Sequence, residues 1–166
     1  MKSFISIVIG SKSDFEIAKE STKILENFSV PYELIISSAH RSPQRTKDYV
    51  SDAEIRGACV FIAAAGMAAH LAGVIASYTI KPVIGVPLDS SSLKGMDSLL
   101  SIAQMPPRIP VATMAIGKSG AINAAYFAMQ ILSLNNASLA NKLILNRKEE
   151  ENRISLDSKE IEKLII

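Results

Sequence analysis

Five short apolar runs punctuate the chain, at residues 4–9, 33–37, 58–64, 82–87 and 110–116. The first, centred on ISIVI, is rich in β-branched side chains, and the second is apolar after an opening glutamate. Each has the length of a strand. Most lack the strict apolar–polar alternation of a strand with one wet face, which predicts a parallel sheet covered on both sides. Stretches of helical spacing lie between them. Residues 14–27 carry Phe15, Ile17, Ala18, Ile24 and Leu25 among charges, and 43–56 opens on Pro43, a residue favoured in a first helical turn. Segments 67–77, 96–104 and 119–134 follow. Strand and helix alternate five times, the pattern of a three-layer α/β domain with right-handed crossovers. At this length the expected architecture is flavodoxin-like, with a five-stranded parallel sheet in the order 2-1-3-4-5. The order rests on chain size, since periodicity does not encode it.

The segment 119–134 is apolar almost all round, so it is expected to be buried on most sides. Residues 135–151 read as another helix, followed by a polar stretch and a short end at 161–166. There Leu164, Ile165 and Ile166 need a surface to dock on. The chain thus reads as one domain over 1–166, with a core at about 3–134 and a helical extension at 135–166.

Composition narrows the classes of function. Eighteen Lys and Arg against sixteen Asp and Glu leave a net charge of +2, too little to argue for nucleic acid or an anionic membrane. Cys59 is the only cysteine, so no disulfide forms within the chain, and a reducing cytoplasm fits. The first strand begins almost at Met1, which leaves no room for a signal peptide, and no stretch has the length and apolarity of a membrane span. The distribution of charge says more than its total. Residues 1–56 hold sixteen charged side chains, 57–131 hold six and 132–166 hold twelve. A middle section so poor in charge cannot coat much exposed surface, so part of it is expected to be covered by other subunits.

Ligands of open α/β sheets bind outside the carboxyl ends of the strands, so the loops there carry the candidate chemistry. The first is Gly10-Ser11-Lys12-Ser13-Asp14 at a helix start, where backbone N–H groups, the helix dipole and serine hydroxyls suit an anion. It lacks the Gly-Lys-Ser/Thr ending of a Walker A loop, and on this loop alone a plain helix cap at Ser13 or Asp14 is the commoner reading. The second holds Ser37-Ser38-Ala39-His40-Arg41-Ser42-Pro43. An imidazole ordinarily titrates at about 6.5 and can move protons at cellular pH. The neighbouring guanidinium is the side chain best shaped to clamp a phosphate. The alternative is a surface His–Arg pair without a duty. The third, Ala63-Ala64-Ala65-Gly66-Met67-Ala68-Ala69-His70-Leu71, offers small residues that let a planar ring approach the backbone. Its His70 falls about one turn into the following helix, where a lone histidine is more often a structural hydrogen-bonder than a catalyst. The fourth, 89–95, is polar and could cover a site or meet a neighbour.

Together these segments resemble the bacterial type of the N5-carboxyaminoimidazole ribonucleotide mutase family, also called the phosphoribosylaminoimidazole carboxylase catalytic subunit. The resemblance rests on GSKSD at 10–14, SAHRSP at 38–43, AAAGMAAHLAGV at 63–74, VPLDSSSLKGMDSLLSIAQMP at 86–106 and IPVATMAIGKSGAINAA at 109–125. It implies an isomerase of purine biosynthesis that moves a carboxylate from the exocyclic nitrogen of an aminoimidazole ribonucleotide to ring carbon C4. His40 would be the catalytic proton carrier, with Ala39 beside it. Ser11 and Asp14 would hold the substrate, Asp14 through ribose hydroxyls, while Ser13, Ser38 and Arg41 would cradle its phosphate. Ala65, Gly66, His70 and Leu71 would wall the imidazole and its carboxylate. The family uses no metal, ATP, biotin or other cofactor, and forms octamers with sites at subunit junctions. Functional coupling to the ATP-dependent N5-carboxyaminoimidazole ribonucleotide synthetase would follow. Met67 stands where a second glycine is common, Ala72 where proline is common, and Pro106-Pro107-Arg108 lacks a usual glycine. Other readings are direct carboxylation by carbon dioxide and a flavodoxin-like binding module without chemistry. A receiver would need an aspartate where this chain has Ala-Ala-Ala-Gly, and a flavin carrier would need aromatics in the first two loops.

Overall fold

The computed structural model of the chain describes residues 3–162. The chain forms two compact units, one running up to Met129 and the other from Gln130 onward. In the first, β1 (Phe4–Ile9), β2 (Tyr32–Ile36), β3 (Ala58–Gly66), β4 (Val83–Leu88) and β5 (Ala112–Thr113) alternate with α1 (Phe15–Asn27), α2 (Pro43–Arg56), α3 (Leu71–Tyr78) and α4 (Met96–Ala103). The helix α5 (Lys118–Ser133) leads out of this unit, and α6 (Ala137–Glu162) belongs to the second. All strands are parallel, in the order β2-β1-β3-β4-β5. This is the flavodoxin-like α/β fold expected from the sequence.

The three inner strands account for the missing polar alternation. Every residue of β1 and β4 is buried, as are seven of the nine in β3, because helices cover both faces. On one face Val8, Phe61, Ala63 and Ala65 meet Val50 of α2, Ala72 and Ile75 of α3, and Ile102 of α4. The other side chains of β1, Ile5, Ile7 and Ile9, are wholly inaccessible and contribute about 1.5–3 kcal/mol each. Helices α1 and α5 are joined by the buried Ser21 hydroxyl, which donates to the Ala121 carbonyl at 2.7 Å. The rings of Phe28 and Tyr126 meet edge to face at 5.8 Å. One polar group enters the sheet itself. Ser6, fully buried, shares a 2.7 Å hydrogen bond with Tyr49 of α2, and Tyr49 donates on to Glu33 at 3.1 Å. Burial pushes the Tyr49 phenol up to about 12, so it stays a donor throughout the neutral range.

Several boundaries differ from those read off the sequence, each for a local reason. Strand β2 is only half-buried, as befits an edge. Strand β5 shrinks from the expected 110–116 to Ala112–Thr113, since it too is an edge, pairs only with β4, and follows Pro110, which has no N–H to give. Helix α3 begins at Leu71 rather than 67, because Met67 adopts a left-handed φ of 57° that a helix cannot include. The helix expected to stop near 151 continues to Glu162 as α6. Residues 146–162 contain neither glycine nor proline, and Arg153 pairs with Glu150 at 2.7 Å, so the polar stretch simply extends the helix. Asn136 starts α6 by accepting the Leu139 N–H on its side-chain oxygen at 3.1 Å. The apolar end at Leu164, Ile165 and Ile166 lies outside the described residues. Among those residues, no helix is long and apolar enough to cross a membrane.

Candidate active site

Four loops meet at the carboxyl ends of β1–β4, and their internal hydrogen bonds set the position of each candidate group. After β1, a single 3-10 turn (Lys12–Asp14) precedes α1. Asp14 occupies the cap position of α1, yet its carboxylate does not cap that helix. It turns back instead. Its Oδ2 accepts the Ser11 backbone N–H at 2.9 Å, and its Oδ1 accepts the Ser13 hydroxyl at 3.2 Å. The hydroxyls of Ser11 and Ser13 are 2.5 Å apart. With 7% exposure Asp14 is fixed, while Ser13 is open to solvent.

After β2, the buried Ser37 hydroxyl bonds Thr46 of α2 at 2.8 Å and pins the loop to that helix. The Ser38 hydroxyl accepts the Arg41 backbone N–H at 3.2 Å and its Nε at 3.4 Å. Arg41 Nη2 then reaches the Gly10 carbonyl at 3.1 Å, so its guanidinium bridges the loops after β1 and β2. Serine hydroxyls and a guanidinium thus share one corner, a constellation suited to phosphate oxygens.

After β3, the left-handed Met67 starts a tight turn in which the Ala69 N–H bonds the Met67 carbonyl and the His70 N–H bonds the Ala68 carbonyl. His70 therefore sits immediately before α3, as its cap residue, and not one turn inside it as the sequence suggested. That turn aims the ring at the neighbouring loop. His40 Nε2 and His70 Nδ1 lie 2.5 Å apart, with ring centroids 4.8 Å apart and planes at 89°. One nitrogen of the pair must carry the proton and the other accept it.

The candidate groups on these loops line one cavity of about 520 Å³. It falls within the size range of small-molecule sites, roughly 300–1,000 Å³. Ser11, Ser13, Asp14, Ser38 and Arg41 form its polar side. Ala39, Ala65, Gly66 and Leu71 supply small or apolar wall around His40 and His70. Each residue singled out from the sequence is in this lining. Gly10, Met67, Ala68, Ala69 and Ser90 also line it and were not singled out. For Ser90 a signal existed, because it follows β4 at the same sheet edge. Among the described residues, no group of three or more His, Cys, Asp or Glu side chains is placed to hold a metal ion.

The AIR carboxylase family profile matches residues 4–153. The chain belongs to that family. An N5-carboxyaminoimidazole ribonucleotide mutase of Pyrococcus horikoshii is 48% identical over 163 residues, which cover 98% of this chain and 91% of the relative. One of Bacillus subtilis is 49% identical over 158 residues, covering 95% of this chain and 97% of that one. Among solved structures, Treponema denticola PurE superposes with a TM-score of 0.87 at 25% identity, over 96% of this chain and 98% of that one. Family membership makes the chain an enzyme, and mutase is the activity that these two relatives' names carry.

Proposed function

We propose that the chain interconverts N5-carboxyaminoimidazole ribonucleotide and 4-carboxy-5-aminoimidazole ribonucleotide in purine biosynthesis, as an isomerase working without a cofactor. The observation that carries this reading is the His40–His70 contact, set in one cavity between a Ser/Arg corner and a wall of small residues. The substrate's phosphate engages Ser13, Ser38 and Arg41, while Ser11 and Asp14 hold the ribose side. This remote anchoring fixes the imidazole against His40, Ala39, Ala65, Gly66, His70 and Leu71.

The chemistry needs one proton carrier used twice. The bond between the exocyclic nitrogen and the carboxyl carbon breaks, its electron pair stays on nitrogen, and carbon dioxide departs. His40 delivers a proton to that nitrogen. The electron-rich C4 then attacks carbon dioxide and forms the new C–C bond, and His40 recovers the proton that C4 loses. Atoms and charge balance with no oxidant, metal or ATP. Escape of carbon dioxide between the two steps would waste the cycle, so a tight wall beside the ring matters as much as the proton carrier.

The test is turnover of N5-carboxyaminoimidazole ribonucleotide in the absence of ATP, followed by absorbance. Arg41→Ala is expected to raise KM at least tenfold, and Arg41→Lys to recover only part, because an ammonium cannot reproduce a planar fork. If the unphosphorylated nucleoside bound as tightly as the nucleotide, the phosphate corner would be misassigned.

The same reading places one mutase domain, with residues 135–166 as its helical extension, in a cytoplasmic homo-oligomer. We take it to be an octamer, coupled functionally to the ATP-dependent synthetase that makes its substrate. Six charges over 57–131 and the exposure of Leu93, Met96 and Leu100 at 62%, 53% and 51% support coverage by neighbouring subunits. Light scattering at micromolar concentration is expected to give a multiple of 17.9 kDa, near eightfold. A fully active monomer would remove the assembly.

A further inference from the structure

We propose that Ser90 is a substrate-contacting residue, whose hydroxyl donates a hydrogen bond to the migrating carboxylate and holds the carbon dioxide formed from it. This inference rests on the mutase reading. Ser90 belongs to the loop after β4 and lines the same cavity as His40 and His70. It leans directly over the end of β3, where a β-carbon added to Gly66 would lie 1.7 Å from Ser90 Oγ and 3.0 Å from its Cβ. Glycine at 66 is therefore what lets this hydroxyl stand against the cavity wall.

The neighbouring serines have other places. Ser91 Oγ accepts the Leu93 N–H at 3.1 Å and stabilises the turn, and Ser92 is not in the cavity lining. Ser11, Ser13 and Ser38 are hydrogen-bonded within the polar corner supplied by the β1 and β2 loops. Ser90 makes no hydrogen bond to another described residue and is the only hydroxyl that the β3 and β4 loops bring to this cavity. Sheet order gives the distance scale. From β1, which carries Gly10 and the polar corner, to β4 is two strand spacings, or about 10 Å. That is the span of a ribosyl-imidazole from its phosphate to the far edge of its ring. A substrate anchored at Arg41 thus presents its ring substituents towards Gly66 and Ser90.

A donor there acts on one step above the others. When C4 attacks carbon dioxide, negative charge develops on the carboxyl oxygens, and a positioned hydroxyl stabilises it. Recapture then outpaces escape. The hydroxyl forms and breaks no covalent bond, and the proton bookkeeping of His40 is unchanged.

The test compares wild type with Ser90→Ala, using substrate labelled in its carboxyl carbon. The variant is expected to lose about tenfold in kcat/KM and to release a several-fold larger share of label as free carbon dioxide with aminoimidazole ribonucleotide. Binding of aminoimidazole ribonucleotide, which lacks the carboxylate, should stay within about twofold of wild type. A variant as fast and as well coupled as wild type would overturn the assignment. So would an equal loss of affinity for aminoimidazole ribonucleotide, which would mark Ser90 as packing for Gly66 alone. If wild type itself failed to interconvert the two nucleotides, the mutase reading would fall, and this inference with it.

Discussion

His40→Asn is expected to lower turnover by about 10²–10⁴-fold while substrate affinity stays within a few-fold of wild type. Asparagine keeps a polar side chain, though one that stops short of the Nε2 position, and has no proton to exchange near neutrality. The phosphate and ribose contacts come from Ser11, Ser13, Asp14, Ser38 and Arg41, whose hydrogen bonds do not run through the imidazole. Single-turnover measurement together with equilibrium binding separates the two quantities. Near-normal turnover in the variant would take the proton-carrier role away from His40. A parallel loss of binding and rate would instead mark the His40–His70 contact as scaffolding for the loop after β2.

The largest effect on stability is expected at Gly120, in the first turn of α5. A β-carbon there would lie 1.7 Å from the Ala115 carbonyl oxygen and 2.7 Å from its carbon. The obstacle is backbone, so it cannot swing aside as a flexible side chain would. Gly120→Ala must therefore shift either the start of α5 or the turn after β5. Such overpacking costs about 3 kcal/mol, or roughly 6–12 °C in Tm for a chain of this size. Gly117 provides the contrast. Its φ is 73° but nothing stands within 4 Å of an added β-carbon, so Gly117→Ala meets only the backbone penalty of about 1–2 kcal/mol. Thermal melts of the pair distinguish steric from conformational demand three residues apart. A Gly120→Ala protein melting within about 2 °C of wild type would show that the turn yields easily.

What the sequence made legible was whatever depends on burial. The runs of β1, β3 and β4 are apolar because helices cover both faces of the sheet, and that pattern survives in the residues themselves. The edges carried a weaker signal. Residues 110–116 look like a strand by composition, but an edge beginning at a proline pairs over two residues only. Residues 152–160 look like a loop because they are polar, yet polarity does not stop a helix that lacks breakers. At the site, the residue types and their strand-end positions could be read, while their mutual geometry could not. His70 was misplaced by a turn because nothing in Gly66-Met67-Ala68 announces a left-handed methionine. Its contact with His40 spans thirty residues of chain and follows from sheet order, which periodicity leaves open.

That sheet order also sets the time at which the site can exist. β1 is laid down first, but it ends up between β2 and β3, with Phe4 opposite Ala58. Helices need only local sequence, whereas strand pairing across such a separation must first offset the entropy of closing a long loop. Until β3 closes against β1, His40 and His70 have no reason to meet, and Arg41 is brought to Gly10 only when β2 seats on the other edge of β1. On a ribosome or in a refolding mixture, the chain thus cannot bind or turn over a nucleotide until both strand pairings are in place.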